Sequence, residues 1–392
     1  MPFLRNAWYM AAWADEVAQG RPLARKLLDE PVLLYRDEAG CIHALFDRCP
    51  HRFAPLSVGR VEGDAVICGY HGLAFGPDGA CRHNPHGPVT RALTVRSYPI
   101  AETHRAVWIW MGDPALSDPS QIRDLAFMAE APNTAFNKGY LLGEGNYQLF
   151  VDNILDLSHT DFLHPTTLGG GSITRTPAEV EERPDGTIAI AWRPKNEVPI
   201  PLIVDRLPPG VERVDSWTEV EWTAPGIMKL VNGAVPAGAP REQGGNAINV
   251  HILTPETQST SHYFFASTRD YATDDAALNE TLRQTRARIF ATEDEPMIAA
   301  QQARIGNADF WSLKPALLKI DKGAVLVRRR MDALIAAEQI RAIDQLAHRI
   351  QRCGLGGIPG GVGFGGVDGL GGHGDSVNDQ AAIRRPGARV MP

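Results

Sequence analysis

Two short segments, Cys-Pro-His at 49–51 and Cys-Gly-Tyr-His at 68–71, each pair a thiol with an imidazole, and sixteen residues separate His51 from Cys68. Thiolates and imidazoles together hold either zinc or an iron–sulfur cluster. A Cys2His2 zinc site is one reading, although zinc fingers usually take two Cys from one hairpin and two His from another. One Cys and one His in each loop instead suits a [2Fe–2S] cluster in which one iron takes Cys49 and Cys68 and the other takes His51 and His71. Two neutral imidazoles in place of two thiolates lower the negative charge on the cluster and raise its potential. Such a cluster accepts electrons from a low-potential donor and passes them on. Cys41, Cys81 and Cys353 have no paired ligand and read as ordinary thiols.

A second group follows in NYQLFVDNILDLSHTDFLH, where Asn153, Asp156, His159 and His164 occur in that order. Apolar Leu149, Ile154 and Leu157 recur at helical spacing, which predicts a helix starting near Tyr147. Asp156 and His159, three apart, would then share a face. Taken alone, two histidines on or near a helix are more often solvated or core residues than ligands. An electron-carrying cluster upstream needs an acceptor, however, and two His with one carboxylate leave open positions on Fe(II) for O2 chemistry. Glu293, Asp294 and Glu295 in TEDEP are the candidates for that carboxylate, against the alternative of a solvated acidic helix face.

The elements that must carry these groups are legible in outline. Short runs PVLLYR, CIHALFD, AVICG, LTVRSYPI and AVWIWMG, rich in β-branched and aromatic residues and separated by turns such as PDGA, predict an all-β domain over residues 1–113. A connection at 114–136 contains Asp118-Pro119 and little periodicity. A second domain over 137–352 combines the helix near Tyr147 with strands TIAIAW, WTEVEW, NVHILTP and SHYFFAST, a charged helix over 275–305 and a last helix near 324–352. The chain is therefore of the α+β class. Residues 354–374 hold 12 glycines in 21 positions, too few apolar groups to offset the entropy of ordering, so the tail 353–392 is expected to be disordered. Its Gly361, Gly363 and Gly366 match G-x-G-x-x-G without the flanking strand and helix that a nucleotide site needs.

With 39 Lys+Arg against 46 Asp+Glu, the net charge of −7 gives no electrostatic reason to bind nucleic acid or an anionic membrane. The N-terminal stretch, interrupted by Arg5, Asn6 and Asp15, lacks the apolar core of a signal peptide, and no run approaches the roughly 20 residues of a membrane span. A cytoplasmic protein with a small-molecule partner is expected.

In this order, C-P-H, C-x-Y-H, D-x-x-H-x4-H and a later E-D resemble the Rieske non-haem iron oxygenases over about residues 3 to 350. The opening FLRNAWYMAAWADEV, with CPHRFAPLSVG, HGLAFGPDGACRHNPHG, HILTPET and HYFF, is most similar to the oxygenases of the vanillate and dicamba O-demethylase group. Toluenesulfonate methyl-monooxygenases are close relatives. The resemblance implies a Rieske domain followed by a helix-grip-like domain with an antiparallel sheet. It assigns Asp294 as the third iron ligand beside His159 and His164, Asn153 as a polar neighbour of the iron, and Asp156 as the carboxylate joining an iron His to a cluster His. It also implies a ring of three chains in which the cluster of one subunit feeds the iron of the next. His251, inside NVHILTP, is the candidate contact for a substrate carboxylate or phenolate, the alternative being a satisfied core His. The implied activity is O-demethylation of a methoxylated aromatic acid with release of formaldehyde. Ring cis-dihydroxylation or aryl-methyl hydroxylation would use the same ligands, and a Rieske electron carrier without oxygenase activity is the reading from another class. No flavin or nicotinamide site is evident, so NAD(P)H must be oxidised by a separate reductase, directly or through a ferredoxin.

Overall fold

The computed structural model describes residues 3–204 and 207–352; Cys353 and the glycine-rich tail lie outside the described residues. Three small antiparallel sheets build the N-terminal half. One orders Leu23–Leu27, Glu30–Arg36, Ile42–Phe46 and Ser97–Tyr98. A second orders Arg60–Glu62, Ala65–Ile67, Ala74–Phe75 and Cys81–His83. Between them Leu33, Tyr35, Leu45, Leu56, Val66, Leu73 and Phe75 pack with Cys49 and Cys68 in one apolar cluster. The third sheet sets Trp8–Trp13 and Ile100–Thr103 on either side of Ala106–Trp110. The strands Trp8–Trp13 and Leu23–Leu27 have no counterpart among the runs singled out in the sequence.

The second half is built on a seven-stranded antiparallel sheet, in the order Asn137–Gly143, Ser261–Arg269, Asn246–Pro255, Ile227–Pro236, Val214–Thr223, Ile188–Trp192 and Glu179–Glu182. The second and third strands of that order, Ser261–Arg269 and Asn246–Pro255, are buried along nearly their whole length because both faces are covered. With period two, Val250, Ile252, Phe264 and Ala266 pack on Trp8, Trp13, Trp108 and Trp110 of the third sheet. The alternate residues Leu253, Tyr263 and Phe265 face a core shared with Tyr147, Phe150, Ile154 and Ile298 from the helices. That helix-facing side also carries Asn249 and His251.

The helices depart from the expectation in two places, and both matter for chemistry. The first covers only Tyr147–Leu155; Asp156 leaves it in extended conformation (φ −124°, ψ 94°) and caps a separate 3-10 turn, Leu157–His159, through Ser158 N–H. The single continuous helix with Asp156 and His159 on one face is therefore corrected. The second, long element is Ala276–Ile289 and Glu295–Ile305 joined by a wider π turn at Phe290–Asp294. Pro296 follows this turn; it has no N–H to continue the α pattern, and its ring would crowd the carbonyl four residues back. The last helix is Lys322–Arg352. Buried Arg328 in it grips Asp152 with Nε and Nη2 at 2.6–3.1 Å and Gln148 with Nη1 at 2.8 Å, fixing the helix that leads to His159. No helix of the described residues is long and apolar enough to cross a membrane.

Candidate functional site

The two Cys-His segments are the same turn used twice. Cys49 N–H donates to Ala54 C=O (2.8 Å) and Phe53 N–H returns to Cys49 C=O (3.0 Å). Cys68 N–H donates to Leu73 C=O (2.8 Å) and Gly72 N–H returns to Cys68 C=O (3.0 Å). Both turns need a left-handed residue at the fourth position after Cys, filled by Phe53 (φ 62°) and Gly72 (φ 73°). The thiols of Cys49 and Cys68 end up buried side by side, and burial pushes the Cys49 thiol above its ordinary value. The rings of His51 and His71 meet edge to face with centroids 4.5 Å apart. Four ligands of one tetrahedral ion would lie within about 4 Å of one another. Among the described residues, no three of these four converge on such a point. A thiol pair inside and an imidazole pair outside fit a two-iron cluster instead. Cys81 is also buried, but its thiol is engaged by His83 C=O at 3.2 Å, as befits an ordinary core thiol.

The second group does converge on a point. One ligand atom each from His159, His164 and Asp294 lie within 4.8 Å of one another. Asp294 Oδ1 is 3.0 Å from His164 Nε2 and 3.5 Å from His159 Nε2, close to the edge of a coordination shell with bonds of about 2 Å. Both rings have Nδ1 committed as a donor. His159 Nδ1 reaches the main-chain carbonyl of Asp156 (2.6 Å), and His164 Nδ1 reaches Glu293 Oε2 (2.7 Å). Nε2 of each is thereby left as the metal-facing atom. Burial opposes the charge of Asp294, but hydrogen bonds and charge from the two histidines outweigh it and hold the carboxyl down at about 2. Asn153 Nδ2 donates to Asp294 Oδ1 at 3.2 Å. The π turn brings Glu293 and Asp294 to the same pair of rings.

Asp156 sits where the sequence places it, but it serves His159 through its carbonyl; its carboxylate Oδ1 takes Ser158 N–H. The carboxylate-to-His159 bond expected from helical spacing is thus corrected, because the helix has ended one residue earlier. Glu293, a member of the acidic run, proves to orient His164; Arg288 Nη1 steadies it from the other side at 3.2 Å.

Beside the metal group lies a cavity of about 180 Å3. Leu157 and Thr160, which flank His159, form part of its wall, with Leu230, Ile203, Trp217 and Ile289 supplying apolar surface. His251 lines it and is also a satisfied core residue, with Nδ1 2.7 Å from Tyr263 Oη. Burial, reinforced by the nearby Arg286 charge, pushes His251 down to about 3, so it is neutral at neutral pH.

Family models match both halves: a Rieske [2Fe-2S] domain over residues 7–99 and a vanillate O-demethylase oxygenase C-terminal domain over residues 144–337. The chain belongs to the Rieske non-haem iron oxygenases. This oxygenase is 38% identical to the dicamba O-demethylase oxygenase component of Stenotrophomonas maltophilia, over 87% of its own length and 100% of the relative's. It is 39% identical to the chloroacetanilide N-alkylformylase oxygenase component of Rhizorhabdus wittichii, over 86% and 97% of the two chains. The crystal structure of dicamba monooxygenase bound to 3,6-dichlorosalicylic acid superposes with a TM-score of 0.81 at 37% identity, covering 86% and 99%. The fold and the two cofactors, a Rieske [2Fe–2S] cluster and a non-haem iron, follow from these likenesses together with the His/Asp group. The reading as a bare electron carrier falls, since the relatives are oxygenase components of multicomponent systems.

Proposed function

We propose that this oxygenase demethylates a methoxylated aromatic acid. A methoxy carbon, O2, two electrons and two protons give the hydroxymethyl ether and water; the ether then collapses to the phenol and formaldehyde. When bound, the iron supplies O2 activation and the cluster supplies electrons one at a time. Cys49, Cys68, His51 and His71 are assigned to the cluster and His159, His164 and Asp294 to the iron. The observation that carries the reading is the meeting of two Nε2 atoms and one carboxylate next to a cavity whose wall includes Leu157 and Thr160, chain neighbours of His159, in a chain this similar to O-demethylase oxygenases.

The remaining residues bind and position. Leu157, Leu230 and Ile289 take the aromatic ring and keep water away, while neutral His251, held by Tyr263, offers hydrogen bonding to a substrate oxygen. Asn153 restrains Asp294, and Glu293 fixes the ring of His164. Asp156 is assigned to the electron path: its carbonyl holds His159, and its Oδ2 is the atom that would meet a cluster histidine of another chain. A head-to-tail trimer is part of this proposal. It is supported by the exposure of His51 and of Phe53 and Tyr70, at 69% and 65%, around the cluster loops. Electrons come from NAD(P)H through a separate reductase, directly or through a ferredoxin.

The test is turnover of the iron-loaded protein with a surrogate reductase on a panel of methoxybenzoates, following O2 and formaldehyde. One formaldehyde per O2 consumed is expected; a cis-diol or ring-hydroxylated product without formaldehyde would overturn the demethylation.

A further inference from the structure

We infer that the cavity holds a second binding position away from the iron, where Asn232, Thr218 and Ser216 receive a carbonyl oxygen at the end of an extended side chain on the substrate's ring. The substrate class is then a methoxyarene whose carbonyl group stands at the end of a short carbon chain instead of directly on the ring. This rests on the oxygenase reading of His159, His164 and Asp294 and adds the length and the terminal group that their cavity selects.

The cavity has a direction. At one end His251 packs edge-on against Phe290, with ring centroids 5.7 Å apart, and Phe290 opens the π turn that ends at Asp294, so this is the iron's end. On the sheet the wall runs from His251 through Asn249 to Ala247, alternate residues of one strand that all line the cavity. That stretch of strand covers about 13 Å. The helix Ala276–Ile289 gives a similar length, for Ile289 and Leu282 both line the cavity and stand about 10 Å apart along the helix axis. With the methoxy carbon at the iron and the ring between Leu230 and Ile289, an acid group attached directly to the ring stops short of Ala247. An extended chain advances about 1.3 Å per bond, so about three carbons beyond the ring bring a carbonyl oxygen to that row.

The far end carries hydrogen-bond donors. Thr218, Asn232 and Ala247 are register partners across three adjacent strands and line the cavity, and Ser216, two residues from Thr218, lines it from the same face. The small side chain of Ala247 leaves space in this row. The orientation of Asn232 is set from the helix side. Arginine only donates, so the atom of Asn249 that meets Arg286 Nη2 at 2.8 Å is its Oδ1. Asn249 Nδ2 then donates to Asn232 Oδ1 at 3.2 Å, which turns the NH2 of Asn232 away from Asn249. Each carboxamide polarises the next, so the donor at the end of this chain is strengthened. Asn232, Thr218 and Ser216 are all half-buried, and among the described residues no acceptor takes the NH2 of Asn232 and no partner meets the two hydroxyls. Donors placed side by side suit a carbonyl oxygen, whose two lone pairs accept two hydrogen bonds.

The experiment is anaerobic calorimetry on the iron-loaded protein with two neutral probes, 3-(4-methoxyphenyl)propanamide and the shorter 4-methoxybenzamide. The parent should bind the longer amide at least about tenfold more tightly than the shorter. Thr218→Val, which keeps the shape and removes the hydroxyl, and Asn232→Leu, which removes the NH2, should each lower that ratio about fivefold. The visible spectrum and iron content of each variant report an intact fold. Equal affinity for the two amides in the parent, or a ratio unchanged in both variants, would overturn the distal position. Formaldehyde release from the shorter ether alone would also reject it while leaving the demethylase reading standing. Absence of formaldehyde from short and long ethers alike would reject that reading, and the ratio of affinities would still decide the distal position.

Discussion

His159 and His164 become metal-facing because each has a fixed partner on Nδ1, a backbone carbonyl in one case and Glu293 in the other. The Cys/His residues proposed for the cluster and the two histidines proposed for the iron could be singled out in the sequence, since each pair lies within a few residues and ligand spacing is local chemistry. Asp294 was reached only through resemblance; its partners are 130 and more residues away in the chain. Glu293 was not legible in its role, for on a charged helix a half-buried, directed side chain looks like a solvated one. For Asp156→Asn, the cap on Ser158 and the carbonyl bond to His159 both survive, because asparagine caps as well as aspartate does. Only the second carboxylate oxygen is replaced, so full iron content with turnover slowed tenfold or more is expected. Turnover at the parent rate would remove Asp156 from the electron path. His251 makes a separate prediction. Its folded value near 3 lies below the ordinary value of 6.5, so between these limits the unfolded chain binds the extra proton. Stability conferred by neutral His251 is present above about pH 6.5 and is lost as pH falls, by up to about 1.4 kcal/mol per pH unit. Denaturant melts at pH 7 and pH 5 should show a slope that is reduced in His251→Gln.

At the level of elements, strands with strong β-branched and aromatic runs were legible, and so was the existence of each helix around the site. What the periodicity concealed were the interruptions. Asp156 ends a helix whose apolar pattern runs on through Leu157, and its value as a cap for the next turn outweighs continuation. The π turn at Phe290–Asp294 leaves no mark on an amphipathic pattern, although Pro296 just beyond it is a signal. One residue more or less in that turn swings Asp294 by about 100° around the helix axis. Deleting exposed Ala291 should therefore leave helix content by circular dichroism and the visible cluster spectrum unchanged while abolishing mononuclear iron binding. Retention of that iron would show that another carboxylate can take the place of Asp294.

For the whole molecule, the tryptophans Trp8, Trp13, Trp108 and Trp110 pack on the face of the catalytic sheet opposite His251, so the cluster-bearing half and the iron-bearing half are joined by an apolar core. The sequence separated the two halves correctly in kind, but it did not show that the strand Trp8–Trp13 would serve their junction. The proposed trimer has its own test. Cys68→Ala and His164→Ala should each be inactive alone; after coexpression, mixed assemblies should regain measurable turnover, because an intact cluster in one chain can serve an intact iron site in the next. No recovery in verified mixed assemblies would confine electron transfer to a single chain.

The claim beneath all of this is that one chain holds two independent metal centres, and metal analysis tests it most directly. Iron and acid-labile sulfide should be counted in the reconstituted parent and in His164→Ala, alongside the visible spectrum. The account predicts three iron atoms and two sulfides per chain in the parent, and two irons with unchanged sulfide and spectrum in the variant. A parent holding only two irons, or a variant that loses cluster and mononuclear iron together, would contradict it.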